Sequence, residues 1–228
     1  KKNASEIILK GLQRLEYRGY DSWGIAVVDD NNIEVVKKIG AIGTLDDLKK
    51  LPHSHIGIGH TRWATHGGVT ENNAHPHFST DKKFILAQNG IVENYQELKK
   101  DLISKGYEFK TQTDTEIIVR LVEEKLKKTK ILRDAVREAF LDLEGRNTII
   151  VLSYLDDQII AVRNGSPLVI GVGPASKSGD VDEYFFASDT LSFADKTDNV
   201  VFLNDGEMGH LHDKKLSLYE VKNDKKLK

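Results

Sequence analysis

A chain of 228 residues with a formal net charge of −2 has no overall electrostatic claim on nucleic acid or an anionic membrane. It is long enough to bury the core of one large domain or two small ones. No apolar run approaches the roughly 18 residues of a membrane helix, and cysteine is absent, which excludes a disulfide framework and suits a cytoplasmic protein.

Asn3 and Glu6 have the spacing of a capping box, and Ile8, Leu12 and Leu15 follow at helical intervals, so a helix is expected over 4–16. Residues 24–28 and 33–36 read as strands around the turn at 29–32. Thr44 is suited to capping a short helix that ends at Lys50. The stretch 56–60 reads as a strand and 73–77 as a loop, too polar and broken for a regular element. A strand over 84–88 ends at Asn89-Gly90, a pair suited to a tight turn with a positive φ at the glycine. Helices are expected over 95–104, 115–126 and 132–141. A hairpin of 148–154 and 158–163 comes next, then strands over 168–172, 184–187, 200–203 and 216–221. The lysines in 125–130 and 222–228 read as a solvated helix face and a tail. Hairpins outnumber strand–helix alternations, which favours antiparallel sheets with helices on their outer faces.

Chemistry concentrates in Gly59-His60-Thr61-Arg62-Trp63-Ala64-Thr65-His66-Gly67. Arginine stays protonated and grips a carboxylate through a two-pronged hydrogen bond; Thr65 and His66 are placed to complete the same pocket. Trp63 reads either as a core residue or as a lid. Asn89-Gly90 on its own is a hairpin turn, yet an amide and a glycine N–H at a strand end also make two donors for one oxygen. Asp114, between two threonines, is by default a helix cap; freed of that role, its carboxylate suits an ammonium group.

Gly57-Ile58-Gly59 lacks the third glycine and the following helix of a dinucleotide fingerprint. His53, His55, His60, His66, His75 and His77 crowd one loop-rich stretch, and His75 with His77, like His210 with His212, would share one side of an extended segment. With no HExxH motif or cysteine spacing, they read as polar loop histidines; no metal and no cofactor is expected. What remains is a carboxylate clamp, an ammonium partner and oxyanion donors, the parts that hold an α-amino acid while its side-chain carbonyl is attacked. No nucleophile is among them.

Several longer runs stand in register: Leu15-Glu16-Tyr17-Arg18-Gly19-Tyr20-Asp21-Ser22, the 59–67 motif, Asn73-Ala74-His75-Pro76-His77, Asn89-Gly90-Ile91-Val92-Glu93-Asn94, Thr113-Asp114-Thr115-Glu116 and Gly165-Ser166-Pro167-Leu168. Through them the chain resembles the glutaminase domains of class II glutamine amidotransferases, and among these the glutamine–fructose-6-phosphate aminotransferase (glucosamine-6-phosphate synthase) family. Amidotransferases of purine nucleotide and asparagine synthesis share the Asn-Gly pair but not typically the 60–66 run. The resemblance implies an α+β N-terminal-nucleophile hydrolase fold, a four-layer αββα sandwich of two antiparallel sheets. It also implies that Arg62, Thr65 and His66 bind the α-carboxylate of L-glutamine or L-glutamate, and that Asp114 binds the α-ammonium. Asn89 and Gly90 then form the oxyanion hole, Trp63 lies on a closing loop, and Arg18 stands near the nucleophile.

In that family the nucleophile is an N-terminal cysteine on a short strand opening Cys-Gly-Ile, whose own α-amine acts as base. Here Lys1 stands where the first helix begins, and a lysine amine would form a stable amide rather than a labile thioester. The expectation is therefore a leading Cys-bearing strand in the natural chain. Trp23 stands where the family more often has a small residue, a change of local packing. Residues 1–221 are expected to form the glutaminase domain and 222–228 to begin a segment leading to a sugar-isomerase region of the same polypeptide, in a homo-oligomeric enzyme. The competing readings are a glutamine- or glutamate-binding module without a nucleophile, and the glutaminase half of another amidotransferase.

Overall fold

The computed structural model describes residues 2–174, 181 and 183–227; Lys1 and Lys228 lie outside them. The elements in order are α1 (Ala4–Arg14), β1 (Ser22–Asp29), β2 (Asn32–Ile39), β3 (Gly57–Arg62), β4 (His77–Phe78), β5 (Phe84–Gly90), α2 (Tyr95–Ser104), α3 (Thr115–Thr129), α4 (Leu132–Leu141), β6 (Asn147–Ser153), β7 (Gln158–Asn164), β8 (Val169–Val172), β9 (Tyr184–Ala187), β10 (Val200–Phe202), β11 (Glu207–His212), β12 (Lys215–Glu220) and β13 (Lys225–Lys226). Every strand pairing is antiparallel. The orders are β2-β1-β3, β10-β8-β9 and β13-β12-β11-β7-β6-β5-β4.

Period-two alternation explains the layering. On β5, Phe84 and Leu86 face the helices while Ile85 and Ala87 face the smaller sheets. Ile160 and Val162 of β7 likewise join Ile117, Ile118 and Val136 on the helical side. Ile159 and Ala161 pack the other way, against Ile58 and Ile170 respectively. On β1, Ala26 and Val28 meet the large sheet, whereas Ile25 and Val27 meet Leu9 and Leu12 of α1. The result is α1, then the two three-stranded sheets in one layer, then the seven-stranded sheet, then α2 to α4. That is the expected αββα sandwich, with its outer sheet layer divided into two hydrogen-bonded groups.

Trp23 is fully buried in the α1 layer and donates from Nε1 to the Ala41 carbonyl at 2.9 Å, so its bulk serves as core. The helix expected over 4–16 ends at Arg14, and Glu16–Arg18 forms a single 3₁₀ turn. Asn3 does not cap it: its side chain bonds Glu6 and accepts from Ser5 and from the Ser54 N–H. The helix expected up to Lys50 shrinks to a 3₁₀ turn, Leu45–Leu48, where Asp47 reaches back to the Thr44 N–H at 2.7 Å.

Three strands were not legible. His77–Phe78, inside the expected loop, pairs with β5. Glu207–His212 pairs with both β7 and β12 although it carries no β-branched residue; a Cβ at its Gly209 would lie 2.9 Å from the tip of the Ile170 side chain, so the glycine gives that side chain room. After β12 the lysine-rich segment turns back, so that Lys225–Lys226 pairs with β12 and Asp224 bonds Arg133. Among the described residues no helix is long and apolar enough to cross a membrane.

Candidate active site

Strands β3 and β9 are the facing edges of the two small sheets, and a cavity of about 530 Å³ lies between them, roofed by α1 and floored by β5 and β6. Arg18, Arg62, Trp63, Thr65, His66, Asn89, Gly90 and Asp114 all line it. The chain therefore brings together every site residue expected from the sequence. Those residues come from the ends of β3 and β5, the turn after α1, the 63–66 loop and the start of α3.

Arg62 closes β3. Its guanidinium is buried, with Nη2 donating to the His66 carbonyl at 2.6 Å and Nη1 to Gly68 at 3.2 Å. These bonds wind the 66–68 loop around the cation, so Arg62 builds the loop as well as facing the cavity. The guanidinium has five N–H donors, and the loop leaves some of them for a carboxylate. Asp21 stands 3.9 Å from Nη1 and accepts from the Ala64 N–H, tying the far side of the motif to the turn after α1. Asn73 fixes the loop from outside, donating to Gly68 at 2.8 Å and accepting from the Gln112 N–H at 3.0 Å.

Trp63 is 67% exposed, so the core alternative does not hold; it lies against Gly19, where a Cβ would come within 2.7 Å of the ring at a φ of +88°. Thr65 is exposed. The His66 ring meets Tyr95 edge-on at 5.0 Å and has a buried Nδ1 without a hydrogen-bond partner. At the cavity mouth the exposed Arg18 donates to Ser188 Oγ at 2.9 Å.

Asn89-Gly90 is not a turn. Both residues remain in β5, paired with Thr148 and Asn147 of β6. Gly90 does take a φ of +126°, and a Cβ there would lie 1.9 Å from the Arg146 carbonyl, so only glycine fits.

Asp114 precedes α3 without capping it. Thr113 Oγ1 accepts from the Glu116 N–H at 3.4 Å instead, and the buried Asp114 carboxylate accepts from the Val92 N–H at 2.9 Å. No cation among the described residues pairs with it, so it faces the cavity with charge to spare.

Sequence reasoning missed a buried polar network beneath these residues. His60 and His77 lie on β3 and β4, and His75 is buried in the loop just before β4; their rings succeed one another at centroid separations of 4.3 and 4.9 Å. His60 Nε2 meets Asn89 Oδ1 at 2.9 Å, His75 Nε2 meets Thr115 Oγ1 at 3.0 Å, and His77 Nε2 meets Thr113 Oγ1 at 3.1 Å. Burial holds His60 at about 4, and drives His75 and His77 well below the ordinary histidine range, so all three are neutral at pH 7. Threonines on both sides of Asp114 were the available signal, readable only once their partners across the chain were known. Among the described residues no group of three or more His, Cys, Asp or Glu side chains is arranged to hold a metal.

Comparison with known proteins agrees with this geometry. The family model of the glutamine amidotransferase domain matches residues 29–214. Glutamine–fructose-6-phosphate aminotransferase of Francisella tularensis is 42% identical over 215 residues, spanning 91% of this chain and 33% of that protein. Its counterpart in Pyrococcus horikoshii is 45% identical over 214 residues, spanning 91% and 34%. The chain thus covers about a third of the length of these curated relatives. Among solved structures, glutamine phosphoribosylpyrophosphate amidotransferase from B. subtilis superposes with a TM-score of 0.81 at 24% identity, over 97% of this chain and 48% of that one. That identity speaks for the fold. A structure described as the allosteric regulatory enzyme of purine biosynthesis gives 0.82 at 25%, over 97% and 47%. With most of its length matched by the family model and its fold shared with amidotransferases, the chain belongs to the glutamine amidotransferase domain family.

Proposed function

We propose that this domain hydrolyses L-glutamine to L-glutamate and ammonia. The observation that carries the reading is the convergence of Arg62, Asp114, Asn89 and Gly90 on one cavity. In this reading Arg62, helped by Thr65 and His66, holds the α-carboxylate and Asp114 the α-ammonium. The side-chain amide is thereby presented to Asn89 Nδ2 and the Gly90 N–H, the oxyanion donors. Trp63 folds over the bound substrate from its exposed position, and Arg18 flanks the attacking group.

The nucleophile of this reading is a cysteine on a leading strand that fills the space between β3 and β9. Two contacts support that course. Lys2 Nζ bonds Glu183 at 2.8 Å and the Ala4 N–H bonds the Ser54 carbonyl at 2.7 Å, so the chain enters α1 at the end of the cavity where β3 and β9 begin. A strand arriving there from the Arg18–Asn89 end would run antiparallel to both edges and satisfy their free backbone groups. Its first residue would then stand beside Asn89. The thiol proton passes to the α-amine as sulfur attacks the amide carbon. Collapse of the oxyanion expels ammonia, which takes that proton, and leaves a thioester; water then releases glutamate.

Relatives named glutamine–fructose-6-phosphate aminotransferase (isomerizing) support extending the reading: the ammonia serves conversion of fructose 6-phosphate to glucosamine 6-phosphate by a sugar-isomerase region of the same polypeptide, in a cytoplasmic, homo-oligomeric enzyme. An enzyme-coupled assay of glutamate release by the full-length protein tests the reading. Turnover abolished by replacing a cysteine ahead of Lys1 is expected. Glutamine binding without any turnover in that protein would refute hydrolysis and leave a binding module.

A further inference from the structure

We propose that His60 is a positioning residue for Asn89, donating Nε2–H to the amide oxygen so that the amide's NH₂ faces the cavity. The inference rests on the reading of Asn89 as an oxyanion donor. An asparagine amide has nearly the same shape in both flipped states, yet one presents donors to the cavity and the other an acceptor. Only the first can stabilise an oxyanion. Something must choose between them, and the neighbour at bonding distance of the amide is His60, 2.9 Å away. The Asn89 amide nitrogen makes no hydrogen bond to any described residue, so it remains available to a ligand.

The surroundings fix which ring nitrogen of His60 carries the proton. Nδ1 is buried without a hydrogen-bond partner, while Asn89 turns its acceptor oxygen toward Nε2 at 2.9 Å. A buried bare nitrogen without a partner is tolerated better than an orphaned N–H. The proton therefore sits on Nε2, where Asn89 Oδ1 accepts it.

The ring is held in that pose by His75, whose own polarity is determined. Thr115 Oγ1 stands 2.6 Å from Gln88 Oε1, and as the Gln88 amide nitrogen donates to Asn147 Oδ1 at 2.6 Å, Oε1 must accept the threonine proton. Thr115 Oγ1 then accepts from His75 Nε2, which leaves His75 Nδ1 facing the Gln88 N–H at 3.5 Å. The His75 ring, pinned at both nitrogens, packs on His60 at 4.3 Å. A directional chain thus runs from His75 through Thr115 and Gln88 to Asn147, and the His75 ring at its start holds the ring that orients Asn89.

The test uses the full-length protein with its nucleophile. His60→Leu is expected to lower kcat for glutamine hydrolysis by at least about 10-fold, toward the 10²- to 10³-fold loss of an oxyanion donor. KM and the Kd for L-glutamate should stay within about 2-fold. His60→Gln, which can return an N–H near Nε2, should recover most of the rate, and adding Asn89→Ala to His60→Leu should cost far less than it does alone. If Asn89→Ala itself leaves kcat unchanged, the oxyanion reading fails. If Asn89→Ala lowers kcat while His60→Leu does not, this inference fails and that reading stands. Histidine ¹⁵N NMR of the unmutated protein provides a measurement independent of folding of the variants: His60 should show the Nε2–H tautomer, and an Nδ1–H tautomer overturns the proposal.

Discussion

Replacement of Asp114 by asparagine separates the charge of the site from its architecture. The carboxylate's structural duty is to accept from the Val92 N–H at 2.9 Å, and the asparagine carbonyl can continue it. Capping of α3 is carried by Thr113 and is untouched. What disappears is the negative charge in a buried position, and with it the charge-assisted bond to a substrate ammonium. Such bonds contribute roughly 1.5–3 kcal/mol, which at 1.4 kcal/mol per decade is about 10- to 150-fold in affinity. Calorimetry of the full-length protein with L-glutamate should show that loss, with the melting temperature changed by no more than a few degrees. Glutaramate, which is glutamine without its α-amine, should bind Asp114→Asn as well as it binds the unmutated protein. Equal losses for both ligands would mean that the substitution damages the pocket generally, and the ammonium assignment would be wrong. By contrast, Asp114→Ala strands the buried Val92 N–H and should destabilise the fold by about 1–3 kcal/mol.

Other outcomes follow from the same geometry. Arg62→Ala should abolish measurable glutamate binding and also speed amide hydrogen exchange in the 66–68 loop, since the cation holds the carbonyls of both ends; lost binding with unchanged exchange would contradict the dual role. Gly90→Ala places a methyl 1.9 Å from the Arg146 carbonyl at a φ of +126°, so chemical denaturation should show a loss above the roughly 1–3 kcal/mol of backbone strain alone. Trp23→Ala should cost about 3–5 kcal/mol by the same measurement, because the ring fills the layer between α1 and β1. Acid should weaken the fold through the buried rings. His60 sits at about 4 and His75 and His77 well below 6.5 when folded, so the unfolded chain binds more protons as pH falls from 6.5 toward 4. Stability is then full above about 6.5 and declines through that window, by at most about 1.4 kcal/mol per pH unit per ring. His60→Gln should make the decline shallower by one ring's share, and a stability profile flat between pH 7 and 5 would refute the assignment of neutral rings.

The elements with a plain local signal were legible in the sequence: β1, β5, β6 and β7 as short apolar runs bounded by turn residues, and α3 and α4 by helical spacing. Strand β11 was not, because Met208, Gly209 and His210 carry no local preference for it; its place follows from pairing on both sides and from the room Gly209 leaves for Ile170. His77–Phe78 was hidden for a similar reason, its two residues being held extended by β5.

Arg62, Asn89, Gly90 and Asp114 could be named from the sequence because their side-chain chemistry is intrinsic to the residue type: a permanent cation, an amide, a Cβ-free N–H and a carboxylate. What those groups do depends on partners far along the chain. Asn89 meets His60 across 29 residues and Thr115 meets His75 across 40. Asp114 escapes helix capping because Thr113 performs it, and Arg62 is diverted in part to its own loop. Such choices are settled by strand register and by the low dielectric of the packed interior, where a polar atom must find a partner or remain costly. The sequence by itself determined which chemistry is present; packing of β3, β5 and α3 around one cavity decided which way each group points.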